Sequence, residues 1–313
     1  MLIKGADMNK KEIENYYKKE VSELTIILLK NYFNTGGESR TFYLKELDKK
    51  LTELQNKQGI YKEYPENTCL FIESRIYVEF LVRICELIED YTGICSALWG
   101  NLRDFPKAII NENSPKKIME QFSDEKLNIL LRYAPLNEIL LPPEEINLIQ
   151  YIRENNITYI KKYNEKLRYF IKLYWIFFTK YKHGNTLLYQ FEEIIINGER
   201  TMIIPAIYNS KNPSIATSII VNKRIYELWK SISDFLFIVN KNIVGRAITY
   251  IETGGNLLIE YSSLNKLKKE EEELAIKIIE KRKLDVPRIN IIATAKLNIE
   301  PKILKKHLDI LDK

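Results

Sequence analysis

Lys180-Tyr181-Lys182-His183-Gly184 sets two ammonium groups and an imidazole at the end of a long apolar run, and His183 is one of only two histidines in the 313-residue chain. An imidazole titrates near neutrality and serves as a general acid or base; lysines beside it can hold a phosphate. A second set carries complementary charge. Glu79, Arg83, Glu86 and Asp90 recur at i, i+4, i+7 and i+11, offsets that put all four on one face of a helix. If the helices bearing the two sets pack antiparallel, Glu86 and Asp90 come near His183 and can orient it, with Lys180 and Lys182 as phosphate contacts. Each set also has a purely structural account. Basic residues followed by glycine make a sound helix C-terminus, and Glu79–Arg83–Glu86 reads as an intrahelical ion-pair ladder. Both accounts stay open at this point.

A helical bundle whose late helix ends in Tyr181-Lys182-His183-Gly184, preceded by a long helix with inward acids, resembles the HEPN superfamily. Many of its members are prokaryotic defence or toxin-type proteins, and some are RNases. The resemblance covers residues 70–184. It implies a bundle fold, contact with RNA or nucleotide, and His183 as the matching catalytic position. The family signature places an arginine ahead of that histidine with four to six residues between them. Here Ile176, Phe177 and Phe178 occupy those positions, and Arg168 lies fifteen residues before His183. The resemblance therefore implies a fold more than a metal-independent RNase activity.

Other chemistry lacks its residues. A carboxylate-bridged di-metal bundle needs Glu-x-x-His pairs on facing helices; neither His183 nor His307 has a glutamate three residues before it. No Cys-x-x-Cys, Gly-x-Gly-x-x-Gly, phosphate-loop or Gly-x-Ser-x-Gly pattern occurs, so no metal or cofactor is expected. Cys85 and Cys95 fall ten residues apart on one predicted helix, about 15 Å along its axis and too far for a disulfide. Buried free thiols in a reducing compartment are the expectation. The formal charge of +6, from 48 basic and 42 acidic residues, permits an anionic partner without demanding one. No apolar run nears the ~20 residues that span a bilayer, and the first residues lack a signal-peptide core. The expectation is a cytoplasmic protein without a membrane partner.

The elements that must position these residues are mostly helices. Helical spacing is evident in Lys10–Phe33, in Ser39–Gln58 with its stripe Leu44, Leu47, Leu51 and Leu54, and in Leu70–Trp99, which Gly100 would close as a left-handed cap. Pro115–Tyr133 is expected as one helix, and Pro142-Pro143-Glu144-Glu145 as a helix start. Ile157–His183 carries Ile160, Tyr163, Leu167, Phe170, Tyr174, Phe177 and Tyr181 at alternating gaps of three and four, a sustained stripe. Ile171, Leu173, Trp175, Ile176 and Phe178 widen it, so that end should be surrounded on most sides. Its lysines, interleaved with tyrosines, suit either a phosphate backbone or a solvated flank. Asn197-Gly198 between Leu187–Ile196 and Arg200–Tyr208 predicts a β-hairpin, with a third strand over Ser214–Val221. Asn222 would cap a helix running to about Ile251. A short strand at Leu257–Tyr261, a charged helix at Leu264–Lys283, a strand at Arg288–Lys296 and a helix at Pro301–Leu311 complete the chain.

The expected fold is mainly α, α+β overall: a helical bundle over 1–184, then a smaller α+β portion over 185–313 with the hairpin at 187–208; no linker separates the two, so a single shared core is the alternative to two domains. Two functions are compatible with it. One is a non-catalytic or weakly active interaction module of prokaryotic defence or stress type, taking a protein partner or a second copy. The other is a HEPN-like protein that binds RNA or nucleotide, or cleaves RNA, through His183.

Overall fold

The computed structural model describes residues 23–32, 38–100, 102–109, 114–182, 192–209, 212–252, 258–282 and 291–292. His183, His307, residues 10–22 of the first predicted helix and the predicted helix at 301–311 lie outside them. The protein is mainly helical with a small antiparallel sheet. The helices are α1 (23–31), α2 (Glu38–Gln55), α3 (Glu66–Trp99), α4 (Phe105–Ala108), α5 (Pro115–Glu120), α6 (Asp124–Leu131), α7 (Pro143–Lys182), α8 (Lys223–Glu252) and α9 (Lys269–Arg282). The strands are β1 (Glu192–Ile196), β2 (Glu199–Asn209), β3 (Asn212–Asn222), β4 (Ile259–Glu260) and β5 (Ile291–Ile292).

Packing groups the chain into two compact units, each discontinuous in sequence. The first holds residues 1–122 and 162–244, the second 123–161 and 245–313. Helices α7 and α8 each supply residues to both.

In the first unit, the leucine stripe of α2 is buried as its spacing requires, with Leu44, Leu47, Leu51 and Leu54 at 2–4% exposure, and α2 packs along α3. Helix α3 begins four residues earlier than its apolar run, because Pro65 and Glu66 favour a helix start. It ends at Gly100 in extended backbone, with φ −82°; the left-handed cap does not form. The segment expected as one helix over 115–133 is broken at residues 121–123, where the Ser123 hydroxyl accepts from the Lys126 amide and starts a new helix. The core is aromatic and layered. Tyr163 stacks on Phe235 at 4.4 Å, and Phe170 and Tyr174 meet Trp229 edge-on. One polar bond crosses it: the Tyr91 hydroxyl donates to Asn164 Oδ1 at 3.0 Å. Cys85 and Cys95 are buried and all three cysteines are free; burial pushes both buried thiols up.

The hairpin forms at the predicted turn. Asn197 (φ 50°) and Gly198 (φ 77°) both take positive φ, as a two-residue hairpin turn demands, and the sheet order is β1-β2-β3, antiparallel throughout. Met202, Ile204, Ile219 and Val221 are buried on one face. Arg200 reaches from β2 to α3, giving two hydrogen bonds to Glu73 at 2.8 and 2.9 Å, and it pairs with Glu193 of β1 at 2.8 Å. The Asn222 side chain accepts from the Ile225 amide at 3.0 Å and caps α8 as expected.

In the second unit, Tyr133 bridges Leu258, and β4 pairs with β5, both in parallel. Parallel neighbours need a crossover, and α9 supplies the one from β4 to β5. Ile149, Ile152, Ile259, Tyr261, Ala275 and Ile278 form the core. Against it lies a buried polar cluster. Arg246 pairs with Glu260, at 2% and 1% exposure, and donates to the Leu131 carbonyl. Asn156 accepts from the Leu264 amide at 2.6 Å and donates to Tyr133 at 2.8 Å. The guanidiniums of Arg153 and Arg246 sit 4.7 and 5.2 Å from the Tyr133 ring centroid. Burial pulls Arg153 down to about 10 and also lowers Arg246. Among the described residues no helix is long and apolar enough to cross a membrane.

Candidate functional site

The Glu79–Arg83–Glu86–Asp90 stripe lies on one face of α3, and that face is half-covered. Its side chains are 18–32% exposed. The Arg83 guanidinium grips both Glu86 carboxylate oxygens, at 2.9 and 2.8 Å, and lies 3.6 Å from Glu79. The ladder expected from spacing is therefore real, but it is only the inner half of the arrangement.

The outer half comes from other helices. Arg40, on the first turn of α2, donates to Asp90 Oδ2 and to the Glu86 backbone carbonyl, and its Nε sits 3.7 Å from Glu86 Oε2. Tyr43, one turn further along α2, presents its ring to Arg83 at 5.1 Å. At the C-terminal end of α7 the Tyr181 hydroxyl donates to Glu79 at 2.8 Å, and Lys182 pairs with Glu89 at 3.0 Å. Tyr32 lies beside Asp90 at the end of α1, and burial pushes its phenol well up.

Of the residues singled out in the sequence, Glu86 and Asp90 are brought together by one guanidinium. Lys182 reaches this helix through Glu89, not through Glu86 or Asp90. Lys180 is exposed and makes no ion pair among the described residues, and His183 lies outside them. Arg40, Tyr32, Tyr43 and the Tyr181 hydroxyl were not anticipated. Arg40 belongs to no periodic pattern, so only the tertiary packing of α2 reveals its role. No group of His, Cys, Asp and Glu among the described residues has a metal-binding arrangement.

Asp90 is chemically the most altered member. Burial, opposed by Arg40, raises its carboxyl to about 6. The folded state therefore holds the Asp90 proton more tightly than the unfolded chain does. Stability from this group is present in full below about pH 4 and is lost as pH rises through about 6. Glu86, Glu89, Arg40 and Tyr32 are the charged or titratable groups facing it. We expect wild type to lose on the order of 2 kcal/mol relative to Asp90→Asn between pH 4 and pH 7. Urea midpoints of both proteins across that range measure the difference; parallel curves would refute the assignment.

The chain has no match among protein families, characterised proteins or solved structures.

Proposed function

We propose that the protein is a helical interaction module, and that the polar seam along α3 fastens α2 and the end of α7 rather than turning over a substrate. One observation carries the reading: both candidate acids are occupied by arginines of their own chain, Glu86 by Arg83 and Asp90 by Arg40. A general base must offer a free lone pair to the substrate, and a carboxylate clamped by a guanidinium offers little. The HEPN resemblance would place such a module among defence or stress proteins. The second reading, an RNA- or nucleotide-acting protein using His183, has one observation in its favour. A carboxyl raised to about 6 is suited to proton transfer near neutrality.

Labelled mixed RNA incubated with the full chain separates them. The interaction reading expects no cleavage and no retained RNA on a filter. Cleavage that disappears in folded His183→Ala, Asp90→Asn or Glu86→Gln would overturn it in favour of the enzyme.

A further inference from the structure

The sequence leads one to expect that the C-terminal half of α7 is surrounded. Ile171 and Phe178 are indeed buried, at 5% and 3%, but Tyr169, Leu173 and Ile176 are 59%, 39% and 52% exposed. These three stand at i, i+4 and i+7, so they form one continuous ridge on consecutive turns. Scattered exposed leucines are ordinary; an aligned row is a patch.

Lysines frame the row. At 100° per residue, Lys162, Lys172 and Lys180 fall within the same arc of about 120° as the ridge. All three are exposed, and none is ion-paired among the described residues, unlike Lys182, which holds Glu89. Glu165 is the one acid within that arc. The lysines span about 27 Å of helix, with one beyond each end of the apolar row and one inside it.

We propose that this face of α7 docks an amphipathic helix of a partner protein whose apolar stripe is flanked by Asp and Glu. The inference rests on the interaction reading and names its surface. An i, i+4, i+7 ridge is the shape that a second helix packs against. Unpaired lysines at both ends and in the middle call for acids on that helix. A second copy fits poorly, because a two-fold contact brings the face onto itself and sets lysines against lysines. RNA fits poorly as well: only Tyr169 offers a ring for base stacking, and Leu173 and Ile176 offer none.

The test uses the full chain and a fluorescein-labelled synthetic helix of leucine stripes flanked by glutamates, with a lysine-flanked version as control. The acidic peptide should bind and the basic one should not. Ile176→Ser, and separately Lys172→Glu with Lys180→Glu, should each raise Kd about tenfold or more, and added salt should weaken binding. Lys50→Glu, exposed on α2, should leave it unchanged. Absence of acidic-peptide binding overturns the proposal, as does binding that the α7 variants do not alter. Association with phosphatidylserine vesicles that the same variants abolish would replace it with a membrane surface. A dimer in sedimentation that Ile176→Ser dissolves would replace it with self-association. RNA cleavage by the same preparation would sink the interaction reading by itself, while the peptide titration still decides whether this face docks a helix.

Discussion

Replacing Glu260 with alanine should destabilise the second unit by about 3–5 kcal/mol, among the largest single-residue effects in the protein. Glu260 and Arg246 are 1% and 2% exposed, so removing the carboxylate strands a guanidinium where water cannot reach it. Arg246 would lose its one buried carboxylate counter-charge among the described residues, while the Leu131 carbonyl at 3.0 Å and the Tyr133 ring are neutral partners. The damage should also spread through the cluster. Ser262 Oγ donates to Glu260 Oε1 at 2.7 Å, and Asn156 donates to Oε2 at 3.3 Å; both would lose an acceptor in a dry place. The double replacement Glu260→Leu with Arg246→Met should recover most of the loss, since a buried ion pair contributes little net stability over well-packed apolar side chains. Hydrogen exchange at the Leu264 amide, held by Asn156, reports this unit directly. If the single variant leaves that protection intact, or the double variant is as damaged as the single, the pair is not what fastens the segment.

That cluster was not legible in the sequence. Arg246, Glu260, Asn156 and Tyr133 are separated by as many as 127 positions, and no spacing rule joins residues brought together only by strand pairing. What was legible depended on local physics. The Asn197-Gly198 turn needs two positive φ values, a requirement that those two residues meet from within. The α2 leucine stripe and the α7 stripe are periodic, so their faces follow from helix geometry alone. The ion-pair ladder on α3 is also local, and Arg83 lies where its spacing puts it. Local reasoning failed where two local preferences competed. A helical pattern continued through residues 121–123, yet Ser123 offered a cap and ended it. It failed again at Leu173 and Ile176, because apolar character predicts that a residue will be covered somewhere, not that its own chain does the covering. Arg40 shows the same limit at the candidate site. Its charge is visible in the sequence, but its engagement with Asp90 exists only because α2 lies on α3.

Arg200→Ala should have the second large effect, about 3 kcal/mol, and should detach the base of the hairpin from α3. The two partners are unequally placed: the Glu73 side chain is 4% exposed and that of Arg200 is 44% exposed. Deleting the arginine therefore leaves the carboxylate without a cation among the described residues, with Gln55 at 2.8 Å and Tyr77 at 3.2 Å still donating to it. Deleting the acid instead lets Arg200 turn to water or stay with Glu193, 2.8 Å away. Glu73→Gln should accordingly lose about 1 kcal/mol, because glutamine keeps an acceptor for its two neighbours and the freed guanidinium is half-solvated already. The ranking is the test, since a symmetrical contact would lose the same amount from either side. Urea unfolding of both variants measures it, with amide exchange at Met202 and Val221 following the sheet. Equal losses for the two variants would mean that the hairpin is held by its apolar face and that the Glu73 pair merely accompanies it.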